Sequence, residues 1–289
     1  MAAQLLLGGA SFGVSLSKSA PSSGLERGHS EEMPALTNVE TPAATPCLSV
    51  VSPDCPPRML IIVPAFNESK SLPGLMRALR DECPCFDVVV IDDGSTDNTR
   101  NAVAGLARVV TLPCNLGIGG AVQTGLQIAL REDYDLAIQV DGDGQHPARE
   151  VAKLLAAMEK SGADMIVGSR FRSFDGFKST AARRMGIRFF AAVLSSICRT
   201  EITDPTSGFR VLSRRAIRLL AHRYSEDFPE VEALVVAHRA GLRIEEIPVE
   251  MSERTAGRSS IGALKSLVYM LKVPLAVFMN LLRKPEVNF

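Results

Sequence analysis

The chain has no surplus of either charge. Lys and Arg number 32, Asp and Glu number 32, among 289 residues, so composition gives no global attraction to nucleic acid. Its six cysteines form no CxxC pair and have no histidine at zinc-ligand spacing, which excludes the common structural zinc sites. Cys83-Pro84-Cys85 is too tight for an easy bridge, so reduced thiols in a cytoplasmic protein are expected. No apolar run approaches the about 18 residues of a membrane span. Leu5–Leu7 is too short, and lacks the basic start, for a signal peptide. There is no internal repeat of fixed period, which excludes solenoids and propellers. What remains is ordinary globular composition, 46% hydrophobic and 22% charged, with enough chain for one large domain or two small ones.

The charge that is present is unevenly placed. Residues 168–223 carry twelve Arg and Lys against three acids, and residues 254–284 carry six against none. Such blocks favour an anionic partner, with phosphate or a lipid surface leading.

Residues 1–57, rich in Ser, Ala, Pro and Gly, read as a flexible extension. Continuous apolar runs follow at Met59–Val63, Val88–Ile91, Val109–Leu112, Leu136–Val140 and Met165–Val167, the mark of strands buried on both faces. Helical spacing separates several of them, at Leu72–Leu79, at Ile118–Leu130 and, with Pro147 as first helical residue, through Val151, Leu154, Leu155 and Met158. Alternating strands and helices predict an α/β fold with a mostly parallel sheet flanked by helices. Beyond Arg170 the rhythm changes. A helix is expected over Met185–Ile197, strands at Phe209–Leu212 and Ile244–Val249, and a long helix over Ile261–Leu282. Lys265 and Lys272 interrupt the apolar surface of that last helix, so it suits an interface as well as a core.

Ligands of open parallel sheets bind beyond the carboxyl ends of the strands. Three acidic clusters fall there: Pro64-Ala-Phe-Asn-Glu68, Asp92-Asp93-Gly-Ser-Thr-Asp97 and Asp141-Gly-Asp-Gly-Gln145. Carboxylates so concentrated repel unless cations or donors lie among them. Asp141, Asp143 and Gln145 offer hard oxygens suited to Mg²⁺ or Mn²⁺, and Gly142 lets the backbone approach a ligand.

The ordered segments PAFNE, VVVIDDGSTDNT, NLGIGGAVQTG, QVDGDGQHP, GSRF, DPTSGFR and ERTAGRSS resemble the family 2 glycosyltransferases of GT-A (Rossmann-like) fold, nearest the dolichyl- or polyprenyl-phosphate sugar transferases. The likeness covers about 58–284. It implies a catalytic domain over 58–255 and a C-terminal amphipathic segment over 256–289. It also implies roles. Pro64, Phe66, Glu68, Ile91 and Asp93 would hold the donor nucleoside, and Asp141, Gly142, Asp143 and Gln145 the metal and diphosphate. Arg170 and Arg254 would neutralise phosphate. Asp143, Arg170 and Asp204 would carry catalysis. Ser207, Arg210 and Arg258 would face the acceptor, and Phe189, Phe190, Val193, Leu194 and Ile197 its first isoprenes.

Two departures from the family pattern are Ile118 in place of a lysine and Ser260 at the end of the last motif. They leave GDP-mannose and UDP-hexose both open as donors. His146 is expected at a helix start rather than as a base. The implied activity is inverting transfer of a sugar from a nucleotide sugar to polyprenyl phosphate at the cytoplasmic membrane face. Membrane access would come from an interfacial helix, a membrane-embedded partner subunit, or both. Alternatives open at this point are a soluble or polysaccharide acceptor, a non-catalytic sugar-nucleotide binder, and a phosphohydrolase of the haloacid-dehalogenase kind.

Overall fold

The structure, a computed structural model, describes residues 57–171, 191–225 and 228–252. The extension expected over 1–57 (save its last residue), the expected helix over 261–282, and Phe189, Phe190, Arg254, Arg258 and Ser260 lie outside the described residues. In chain order the strands are β1 (Met59–Ala65), β2 (Asp87–Asp92), β3 (Arg108–Thr111), β4 (Leu136–Gln139), β5 (Met165–Ser169), β6 (Arg210–Ser213) and β7 (Ile244–Pro248). The helices are α1 (Leu72–Glu82), α2 (Thr99–Ala102), α3 (Gly117–Arg131), α4 (Glu150–Ser161), α5 (residues 191–198), α6 (Arg214–Arg223) and α7 (Pro229–Arg239).

The strands form one seven-stranded sheet in the order β3-β2-β1-β4-β6-β5-β7. Every pairing is parallel except those of β6, which runs antiparallel between β4 and β5. The mostly parallel sheet flanked by helices is therefore as expected. The central strand explains why. All seven residues of β1 are buried, and they alternate between two cores. Leu60 and Ile62 join the side chains of α3, α5, α6 and α7, while Met59, Ile61 and Val63 join those of α1 and α4. Fully burying each Ile or Val side chain contributes about 1.5–3 kcal/mol.

Three features depart from expectation. Helices α6 and α7 were not anticipated, because the arginines that crowd α6 read as a basic patch. Its apolar stripe is nonetheless present in Ala216, Ile217, Leu220 and Ala221, with the Ser213 hydroxyl capping its start by accepting from the Ala216 N–H at 3.3 Å. Pro147 is not the first residue of α4. It lies in a turn ahead of the helix, its carbonyl accepting from the Glu150 N–H at 3.0 Å. Leu194, a candidate for an isoprene slot, is instead part of the core, with Ile197 packed against it. Among the described residues no helix is long and apolar enough to cross a membrane.

Close packing of α3 on β1 depends on Gly125, where an added Cβ would lie 2.3 Å from Ile62 Cγ2. Gly125→Ala is therefore expected to destabilise the fold by about 1–3 kcal/mol through overpacking, outweighing the about 1 kcal/mol that alanine gains in helix propensity. Gly74→Ala in α1, where nothing lies within 4 Å, should show the propensity gain alone. Denaturant midpoints measure both, and the reverse ordering would contradict the packing argument.

Candidate active site

The sheet register brings the acidic clusters together. Ala65 pairs with Asp92 and Ile62 with Gln139, so the segments leaving β1, β2 and β4 emerge side by side. The first two are sewn into one body. Asn67, at φ 58°, accepts from the Thr96 N–H at 2.8 Å and the Asp97 N–H at 3.2 Å. In return its own N–H donates to Ser95 Oγ at 2.9 Å, and the Glu68 N–H donates to Thr99 Oγ1 at 2.9 Å. Ser71 joins the third segment: its buried hydroxyl lies 2.7 Å from Glu68 Oε2 and 2.9 Å from the carbonyl of Gly142. Sequence reasoning had given no role to Asn67, Ser71 or Thr99.

The residues expected to hold a nucleoside divide into two groups. Phe66 and Glu68 stand at the rim, Phe66 being 45% exposed. Leu116 and Ile118, at the start of α3, are the other large hydrophobic side chains exposed among the described residues. Pro64 is buried in β1. Ile91 is fully buried, in the core cluster that holds Val122 and Leu126 of α3. Asp93 is buried too, accepting the Leu116 N–H at 2.7 Å. Burial pushes its carboxyl above the ordinary aspartate value, the Leu116 and Gly117 N–H groups opposing this and the charge of Asp92 adding to it.

The DGDGQ turn presents carboxylates on a constrained backbone. Asp143 Oδ1 accepts the Gln145 N–H at 3.0 Å. Gly142 passes so close to β1 that a Cβ would sit 2.9 Å from the Pro64 carbonyl, and a Cβ on Gly208 would sit 2.8 Å from Asp141 Oδ1 and from Gln139 Nε2. His146 lies beneath, stacked on Phe209 at 4.7 Å. Burial holds its imidazole below the ordinary histidine value, against the pull of Asp141 and Asp143. Its Nδ1 accepts the Asp141 N–H at 3.3 Å, which places the ring proton on Nε2. In this position His146 supports the turn that carries Asp141. The carbonyl of Gln145 accepts the N–H of Ser252 at 2.9 Å, bringing the chain that leaves β7 against the turn.

Opposite stands a buried ion pair. Asp204, fully buried, takes Arg170 in a two-point grip: Nε to Oδ2 at 2.6 Å and Nη2 to Oδ1 at 2.7 Å. The Arg170 backbone N–H adds a third bond at 3.1 Å, and Nη2 reaches Thr206 Oγ1 at 2.8 Å. Such a pair is geometrically specific, and it compensates the arginine's charge before any ligand arrives. Ser207 and Arg210, expected to face the acceptor, are both buried. Ser207 donates to the Gly168 carbonyl at 2.6 Å. Arg210 donates through Nε to the Ser207 carbonyl at 2.8 Å and through Nη2 to that of Pro205 at 3.4 Å, while its Nη1 has no hydrogen-bond partner. In this arrangement they shape the DPTSGF loop instead of lining it. Below them Tyr224 donates to Gln139 Oε1 at 3.3 Å, and burial pushes its phenol far above the ordinary tyrosine value.

Known proteins resemble this chain in sequence and in fold. The undecaprenyl-phosphate mannosyltransferase of Micrococcus luteus is 32% identical over 215 residues, spanning 71% of this chain and 88% of the relative. The polyprenol monophosphomannose synthase of Mycolicibacterium smegmatis is 28% identical over 227 residues, spanning 75% and 85%. Among solved structures, glucosyl-3-phosphoglycerate synthase of Mycobacterium tuberculosis superposes with a TM-score of 0.58 at 16% identity, covering 78% of this chain and 80% of that one. One crystal of that enzyme holds Mn²⁺ and UDP. The family profile described as glycosyl transferase family 2 matches residues 60–220, from β1 into α6, and so takes in the three stitched acidic segments and the Arg170–Asp204 pair. The phosphohydrolase alternative falls with that match: the chain belongs to glycosyl transferase family 2.

Proposed function

We propose that this chain transfers a hexose from a nucleotide sugar to a polyprenyl or dolichyl phosphate, with inversion at the anomeric carbon, while attached peripherally to a membrane. One observation carries the reading: the three acidic segments form a single stitched rim at the carboxyl edge of the sheet, with the buried Arg170–Asp204 pair nearby. The relatives named for undecaprenyl and polyprenol phosphates support the acceptor class. A third, named as a UDP-N-acetylglucosamine–dolichyl-phosphate transferase from Methanococcus voltae and 28% identical, keeps both donor nucleotides in play. A membrane-embedded partner subunit, one of the routes to the membrane that the sequence left open, finds no support in these names.

The donor set fits a divalent ion. Asp141 and Asp143 supply two hard carboxylates on a turn that leaves no room for a Cβ beside Asp141. No group of three or more His, Cys, Asp and Glu side chains is gathered at one point among the described residues, so Gln145, diphosphate oxygens and water would complete the sphere. A bound Mg²⁺ or Mn²⁺ would supply Lewis-acid stabilisation of the departing diphosphate.

The chain's own residues account for the rest. Phe66, exposed at the rim, offers a face for the nucleobase, and Glu68 an acceptor for ribose or base. Arg170, fixed by Asp204, meets the diphosphate as charge grows on it. The acceptor phosphate, with a second pKa near ~6, is largely ionised at neutral pH, so it attacks without a general base. The carbon–oxygen bond to the lipid phosphate forms as that to the nucleoside diphosphate breaks. A neutral, buried His146 has no proton-transfer step to perform.

The direct test offers radiolabelled GDP-mannose, UDP-glucose and UDP-N-acetylglucosamine in turn with undecaprenyl and dolichyl phosphate. Chloroform-extractable label that depends on the lipid is the expected result, abolished by a chelator and restored by Mg²⁺ or Mn²⁺. Label that stays aqueous with every donor would overturn the assignment. Asp143→Asn keeps the oxygen that accepts the Gln145 N–H and removes the charge. It should fold normally yet lower kcat about 100-fold or more, the scale of losing one charge-stabilising group. Gly208→Ala, by displacing the Asp141 carboxylate, should lower kcat roughly 10–100-fold with little change in melting temperature.

A further inference from the structure

Glu246 lies on β7 opposite Val167, and its carboxylate is buried, with the residue only 4% exposed. A buried carboxylate must be surrounded by donors. Here three donors come from the loop entering the DPTSGF segment. Glu246 Oε1 accepts the Asp204 N–H at 2.7 Å, and Oε2 accepts both the Thr203 N–H and the Thr203 hydroxyl at 2.7 Å. The Thr203 hydroxyl has one proton, which goes to Glu246. The 2.7 Å contact between Ser169 Oγ and Thr203 Oγ1 must therefore be donated by Ser169. Ser169 Oγ in turn accepts the Phe171 N–H at 3.2 Å. The result is a one-way chain from Phe171 through Ser169 and Thr203 to Glu246. It fixes the residues on both sides of Arg170 and the loop that bears Asp204.

We propose that Glu246 is a positioning residue for the transfer reaction: by anchoring Ser169, Thr203 and Asp204 to one carboxylate, it sets the angle at which Asp204 grips Arg170 and hence the direction in which the guanidinium meets the diphosphate. The proposal rests on the transferase reading above for the role of Arg170, but its geometric half does not. Only a carboxylate at this length serves. Aspartate would fall one methylene short. Glutamine would turn an NH₂ toward either the Asp204 N–H or the Thr203 N–H, setting donor against donor. Burial raises the Glu246 carboxyl, an effect that the Thr203 and Asp204 donors oppose and the Asp204 charge reinforces.

The test is a kinetic cycle on the full chain, read beside a spectroscopic signal. Glu246→Gln should lower kcat about 10–100-fold, the usual scale for a partner that orients a contacting group, with donor KM nearly unchanged. In an Arg170→Lys background the same change should cost less than about 2-fold, since coupled positions do not add. Equal factors in the two backgrounds, or an unchanged kcat, would overturn the proposal. The Arg170 Nε–H, assigned by its loss in Arg170→Lys, should give a protected nitrogen–proton resonance in the parent chain. In Glu246→Gln it should lose that protection, and a retained signal would count against the proposal. Thr203→Val, which removes only the hydroxyl links, should weaken both readouts in the same direction by a smaller amount; it decides the matter should Glu246→Gln not fold. If the parent chain moves no sugar to polyprenyl phosphate, the transferase reading fails by itself and the resonance still reports whether Glu246 orients Arg170.

Discussion

Like charges collected at one edge of a sheet repel, and the architecture is organised around holding them there. Asp92, Asp93, Asp97, Asp141 and Asp143 all follow strands that end at the same edge, where unscreened neighbours would raise one another's carboxyl groups. The protein answers with backbone donors. Asp93 takes the first N–H of the α3 entry, Asp92 takes that of Ser95 at 3.1 Å, Asp97 that of Thr99 at 2.9 Å and Asp143 that of Gln145. Each such bond both offsets charge and fixes a loop. Stitching and neutralisation are thus one device; Asp97 stays exposed at the surface, while Asp141 and Asp143, the two expected to meet a cation, are half-buried.

The second half of the site uses a different solution. Asp204, itself fully buried, is offset by a largely buried arginine in a two-point pair whose loop is itself held by another buried acid, Glu246. Removing one partner of such a pair leaves a buried charge uncompensated, a far greater penalty than the pair's own net contribution. The arrangement therefore favours geometric definition over stability, which suits the role proposed for Arg170, facing a phosphate from a set direction. The row Gln139, Arg210, Val167, Glu246 runs across neighbouring strands. Three of its four members are polar and buried, an uncommon composition for the interior of a sheet.

Much of this was legible in the sequence, for reasons that also mark the limit. Strands sandwiched between helix layers must be apolar on both sides, and five of the seven announced themselves as apolar runs. The motifs PAFNE, DDGSTDNT and DGDGQ fell at strand ends because chains turn where hydrogen-bonded pairing stops. Side-chain direction was not legible. Ile91, within a motif, points into the core; Ser207 and Arg210 bind their own loop. A residue's type and spacing do not say which way it faces. The antiparallel insertion of β6 was equally hidden, since its local pattern resembles that of its parallel neighbours. Glu246 did leave a trace: in Ile244-Glu-Glu-Ile-Pro248 it takes the alternation phase of Ile244, an acid on the face where an apolar residue was due.

The bond from the Ser252 N–H to the Gln145 carbonyl has a mechanical consequence. It ties the carboxyl-terminal continuation of the chain to the main chain of the very turn that bears Asp141 and Asp143. A displacement of residue 252 would pass to the turn that bears those carboxylates through main chain alone, without any intervening side chain.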